Sequence, residues 1–210
     1  MAANPDFKKI VLKDVELLWP RLDQPYRYDP HNERTEACPA NAQGAGYSVA
    51  FKVPMARGKE LFEELKAHYA DCQSRSSKLP KFSSVFSMKK DTDEGTVTFT
   101  ARKRAMSNDG KENKPPRVVG PDLQDLEDKA IWTGSTGNLR LLAFPATNPQ
   151  DKSGGISLLL DAVQVTEAVY GGDNLEDDFG PAQEVRKDFS DWADDEKQTA
   201  KQAEPADAEF

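Results

Sequence analysis

The sequence predicts a mainly all-β fold, a small barrel of short strands with one inserted helix and long loops, followed by a flexible acidic tail. Three observations carry this reading. Segments in which apolar and polar residues alternate recur along the chain with turn signals between them. Only one segment switches to the helical period. Of the 210 residues, 37% are hydrophobic, below the roughly 45–50% of ordinary domains, and the shortfall is concentrated at the end of the chain.

The elements follow in order. Residues 7–19 (FKKIVLKDVELLW) alternate through Ile10, Leu12, Val15 and Leu17, with Lys13-Asp14 breaking the parity. A bulge or bend there lets one long strand serve two sides of a barrel. Residues 20–45 hold four prolines and no sustained period, which predicts an irregular excursion carrying Tyr26 and Tyr28. Residues 46–54 (GYSVAFKVP) alternate cleanly, with Tyr47, Val49, Phe51 and Val53 on one face. Over 58–72 the period becomes helical, through Leu61, Phe62, Leu65 and Tyr69, with Glu60, Glu63, Glu64 and Lys66 on the solvated side. Residues 84–90 and 95–104 (GTVTFTARKR) read as a hairpin with Val97, Phe99 and Ala101 inward and Thr98, Thr100, Arg102 and Arg104 outward. A polar loop with an Asn-Asp-Gly turn signal leads to short runs at 117–119 and 131–134, and two strands at about 138–144 and 156–169 close the body.

The charge is divided unevenly. Residues 173–210 carry 13 acidic and four basic groups, a net of −9, whereas the body, residues 1–172, is at +1. The last segment is too poor in apolar residues to form a core and is expected to be disordered. No apolar run long enough for a membrane span and no signal-peptide core is present, so a cytosolic protein without membrane contact is expected. Cys38 and Cys72 are expected to stay reduced.

Catalytic motifs are missing. There is no phosphate-binding G-x-x-x-x-G-K-[ST], dinucleotide G-x-G-x-x-G, nucleophile elbow or H-E-x-x-H, and His31 and His68 are the only histidines. Asp91 and Asp93 fall where a solvated turn explains them. His68 and Cys72 stand four apart on the helix with His31 and Cys38 upstream, but their spacing matches no common zinc module. Neither enzyme activity nor a metal or other cofactor is expected.

The positive signal is basic residues interleaved with aromatics. Between Arg75 and Arg117 lie 11 basic and five acidic groups, a net of +6, with Phe82 and Phe86 inside the stretch. Cations that track phosphates beside rings that stack on unpaired bases suit a single-stranded nucleic acid. Arg102 and Arg104 share a face by strand parity and are the leading groove candidates, joined by Lys103, Lys89, Lys90, Lys81 and Arg117. Phe82 and Phe86 serve either as stacking rings or as core. Tyr26, Tyr28 and Trp132 are amphipathic rings in loops or at strand ends, open to the same two roles. A tethered segment at −9 should compete with nucleic acid for such a groove, and Phe210, with Asp207 and Glu209 beside it, offers a ring among carboxylates that a partner could capture.

In the order FKKIVLKDVELLWP, GYSVAFKVP with its following helix, GTVTFTARKR, GNLRLLAFPA, GGISLLLDAVQVTEAV and ADDEKQTAKQAEPADAEF, the chain resembles the single-stranded DNA-binding proteins of tailed bacteriophages. The resemblance covers nearly the whole chain. It implies a five-stranded OB-type barrel with an acidic C-terminal tail ending in Phe. It also implies coating of single-stranded DNA during phage replication, recombination and repair in the cytoplasm of the infected bacterial host. The tail would contact phage or host replication proteins such as the DNA polymerase and the helicase or primase, with self-association left open. Lys197 and Lys201 interrupt this tail, a departure that would weaken partner affinity. The alternative is a protein-interaction adaptor of the same machinery whose basic face meets an acidic partner.

Overall fold

The bend expected at Lys13-Asp14 organises the barrel. A computed structural model describes residues 6–171. In chain order the elements are β1 (Lys8–Asp29), β2 (Arg34–Ala37), β3 (Gly46–Pro54), α1 (Met55–Arg75), β4 (Phe82–Val85), β5 (Met88–Asp91), β6 (Thr96–Arg104), β7 (Arg117–Val119), β8 (Thr136–Thr147) and β9 (Gly154–Glu167). The register of β1 on β8 shifts between Leu12 and Val15, where Asp14 takes φ 52° and its N–H donates to Asn138 Oδ1 at 2.9 Å. Beyond this bulge β1 turns onto β3, pairing Glu16 with Lys52 and Leu17 with Phe51.

From β3 the ring continues antiparallel to β6, passes to β9 through one parallel pairing at Arg102 and Leu159, and returns antiparallel through β8 to β1. The result is the closed five-stranded OB-type barrel with an inserted helix. Its interior follows from period-2 alternation: Val49, Phe51 and Val53 of β3 face Val97, Phe99 and Ala101 of β6, all at most 2% exposed. Phe51 and Phe99 are register partners with rings stacked 5.6 Å apart, a pair that contributes about 0.5–1.5 kcal/mol beyond burial. Strand parity thus predicts the inner wall.

Helix α1 buries Leu61, Leu65 and Tyr69 and lies against β3, β4, β6, β8 and β9. Because Pro54 ends β3 and Met55 begins α1, the helix occupies one end of β3, leaving Gly46 at the other. Gly58 packs on Val97 near the start of β6, so Arg102–Arg104 lie at the strand end away from that contact. Among the described residues no helix is long and apolar enough to cross a membrane.

Three expectations need correction. Residues 20–45 are not wholly irregular: β1 runs on to Asp29 and folds back as a hairpin with β2, pairing Tyr26 with Ala37 and Tyr28 with Thr35. The prolines mislead because the ladder tolerates them at a bulged edge. Residues 84–90 do not form one hairpin arm. Their chain divides at Ser87, with φ 61°, so that β4 joins β9 in parallel while β5 pairs with β6. The run 131–134 forms only an isolated bridge, Ile131 with Tyr170. The expected tail, 173–210, lies outside the described residues.

Candidate nucleic-acid interface

The floor of the principal groove is the helix-distal end of β3 and β6, where Gly46 pairs with Arg104, Tyr47 with Lys103 and Ser48 with Arg102. A Cβ at Gly46 would stand 2.6 Å from the Lys103 carbonyl oxygen, so the close approach of the two backbones here requires glycine. Beneath the floor, Ala45, Tyr47 and Ala105 form a small second core against Cys38, Ala40 and Ala42. That cluster, with the bond from Cys38 N–H to the Pro25 carbonyl at 3.0 Å, anchors the loop between β2 and β3. One wall is the β1–β2 hairpin with Tyr26, Arg27, Tyr28 and Thr35; the other is Met106–Asn108. The groove, open to solvent, has a volume of about 660 Å³.

The groove is defined by charges left without counter-charges. Among the described residues Arg21, Arg27, Arg102, Lys103 and Arg104, all lining it, form no ion pair. The Arg104 guanidinium donates to a neutral amide, Asn108 Oδ1, at 3.0 Å, and Arg21 sits 5.9 Å from the centre of the Tyr26 ring. Partial burial, and then the neighbouring Arg102, push the Arg21 pKa down from its ordinary value. Burial raises the pKa values of Tyr26 and Tyr47, so both phenols remain neutral near pH 7. A concave surface lined by charges of one sign concentrates potential and attracts a polyanion.

The structure brings Arg102, Lys103, Arg104, Tyr26 and Tyr28 together in this groove, and Tyr28 is 61% exposed. Trp132 lines an adjoining cleft. The remaining candidates lie elsewhere. Phe82 packs under α1, 5.2 Å from Tyr69 and 5.9 Å from Phe62 between ring centres, and Phe86 covers the backbone of Gly155. Lys89 and Lys90 are on β5, with Lys90 Nζ 6.0 Å from the Phe62 ring centre, and exposed Lys81 precedes β4. Arg117 is on β7, bound to Asp125 at 3.1 Å. Asp207, Glu209 and Phe210 lie outside the described residues.

Arg21 and Arg27 escape the sequence census because it begins at Arg75, although the local strings Trp19-Pro20-Arg21 and Tyr26-Arg27-Tyr28 carry the same basic and aromatic interleaving. The zinc candidates separate: His31 and Cys38 flank β2, while His68 and Cys72 are on α1 with Asp71. Arg75 Nη2 contacts both Cys72 Sγ at 3.3 Å and Asp71 at 3.0 Å, placing a fixed cation where a metal would need these donors. Asp91 accepts from the N–H groups of Asp93 and Glu94, as a turn aspartate does.

No protein-family model and no curated protein sequence matches the chain. Solved structures do. The C-terminally truncated single-stranded DNA-binding protein of bacteriophage Enc34 superposes with a TM-score of 0.55 at 15% identity, covering 82% of this chain and 95% of that one. The same phage protein in complex with single-stranded DNA gives 0.53 at 15%, over 80% and 93%. Bacteriophage T7 gp2.5, also a single-stranded DNA-binding protein, gives 0.55 at 17%, over 78% and 94%. The likeness is one of fold.

Proposed function

We propose that this chain binds single-stranded DNA, largely independently of sequence and without catalysis, in the groove between the β1–β2 hairpin and the ends of β3 and β6. The observation that carries the reading is the convergence in one groove of five cations that form no ion pair among the described residues, beside a hairpin wall bearing Tyr26 and Tyr28. Cations neutralise successive phosphates, and each exposed ring accepts any base on its face, contributing about 1–3 kcal/mol per stack. A duplex keeps its base faces paired and stacked and gains only the phosphate part. The fold shared with phage single-stranded DNA-binding proteins supports the same reading.

In this proposal the protein coats exposed strands during phage DNA replication and recombination in the infected bacterial cytoplasm. The segment 173–210, at −9, competes with the strand for the groove at the high effective concentration that tethering confers. Once displaced, its residues Asp207, Glu209 and Phe210 recruit replication proteins such as the polymerase, helicase or primase.

Fluorescence anisotropy with oligo-dT and a matching duplex, using the intact chain and a chain ending at Gly172, tests both parts. Strong preference for the single strand, with tighter binding after truncation, is the expected result. Binding by neither form would remove the strand-binding reading and favour an adaptor with a protein partner.

A further inference from the structure

Beside the main groove lies a second cleft of about 330 Å³, lined among others by Trp19, Arg21, Asp23, Tyr26, Trp132 and Thr133. Arg21 and Tyr26 line both cavities, so the two are contiguous. Its indoles are unusually bare: Trp19 is 62% and Trp132 59% exposed, and among the described residues neither packs against another aromatic ring.

Both rings are nevertheless fixed at their roots. Trp19 holds φ at 45°, a left-handed backbone conformation that a bulky residue adopts only where its surroundings impose it. The restraint comes from Trp19 N–H donating to Thr133 Oγ1 at 2.9 Å, with Gly134 N–H donating to the Leu17 carbonyl at 3.1 Å. Trp132 N–H donates to the Val169 carbonyl at 2.7 Å, and Ser135 Oγ donates to the Trp132 carbonyl at 2.8 Å. The indole of Trp132 lies on Gly171, where any Cβ would come within 1.7 Å of its Cε2. Rings this exposed contribute little burial to folding, and their anchored, open faces match a planar ligand.

We infer that the Trp19–Trp132 cleft is a second base-stacking subsite, which takes bases of the same strand after it leaves the basic groove past Arg21 and Tyr26. The inference rests on the strand-binding reading and extends it. Arg21, which forms no ion pair among the described residues, supplies the phosphate contact at the junction, whereas Asp23 is engaged by the Tyr26 hydroxyl at 3.1 Å. The footprint then has two parts, a short one bound by the groove and a longer one that also reaches the indoles.

Length-resolved binding tests this on the full chain. With oligo-dT of increasing length, Trp19→Ala and Trp132→Ala are expected to leave the shortest bound strands unaffected and to weaken longer ones about tenfold each. In a Trp192→Phe background, indole fluorescence should be quenched only above the same threshold length. Should either alanine variant fold poorly, Gly171→Ala, which displaces the Trp132 indole while keeping every ring, must reproduce the length-dependent loss. Equal affinity of wild type and all three variants at every length overturns the inference while leaving the groove reading intact, provided Arg102 and Arg104 substitutions still weaken binding. A uniform loss at every length also overturns it, because the cleft would then belong to the primary groove.

Discussion

The two ends of β3 and β6 use the same residue types in opposite ways. At the helix end, rings meet rings and several cations meet acids: Phe82 packs on Tyr69 and Phe62, Arg57 pairs with Glu60, Lys66 with Glu63 and Lys8 with Glu64, and Lys90 lies over the Phe62 ring. At the groove end, Arg21, Arg27, Arg102, Lys103 and Arg104 form no ion pair among the described residues, and Tyr28, Trp19 and Trp132 stand open to solvent. Concentrating like charges gains a purely solvated face nothing, which is why the proposed strand contacts are assigned to this end. Residue type alone therefore does not identify a stacking ring. Its neighbours do.

The contrast breaks first at the strongest charges. Reversing Arg102 and Arg104 to Glu should weaken single-stranded DNA binding by roughly 100-fold or more while leaving the thermal midpoint nearly unchanged, as anisotropy and calorimetry would register. At the helix end the expected effect moves to stability. Phe82→Ala, at a half-buried site, should cost roughly 2–3 kcal/mol of folding free energy and lower the melting midpoint on the order of 5–10 °C, with strand affinity of the folded protein retained. Tyr28→Ala should weaken binding about tenfold through lost stacking, without altering the salt dependence.

Arg117→Ala removes a cation already matched by Asp125 and should change strand affinity by less than about twofold. The smallest effect concerns pH. Burial raises the Cys72 thiol above its ordinary pKa, so the stability this group contributes is complete below the unfolded thiol's pKa and is lost as pH rises through the folded one. The urea midpoint should therefore fall modestly above about pH 8.5, where unfolded thiols ionise, and Cys72→Ala should flatten that fall.

Much of this division was legible in the sequence. Strict alternation over Gly46–Pro54 and Thr96–Arg104 placed Phe51 and Phe99 inside and sent Arg102 and Arg104 to one face, because strand parity leaves no alternative. The parity break at Lys13-Asp14 located the bulge that lets β1 serve two neighbours. What escaped depends on contacts distant along the chain. The β1–β2 hairpin aligns Tyr26 and Tyr28 beside residues more than seventy positions away, and no local period reports that. The parallel pairing of β4 with β9 decides that Phe82 goes under the helix, and four residues of sequence cannot choose between that edge and a hairpin. Trp19 reads as the end of an alternating strand, yet its left-handed backbone is imposed by Thr133.

Salt dependence of oligo-dT affinity, compared between Arg102→Ala/Arg104→Ala and Arg57→Ala/Lys66→Ala, tests most directly whether the unpaired cations are the phosphate contacts. The groove pair should reduce the slope of log affinity against log salt by about 1.4, two phosphates at roughly 0.7 each, while the helix pair leaves it unchanged. Equal slopes in both variants, or a loss only in the helix pair, would contradict the assignment of strand binding to the groove.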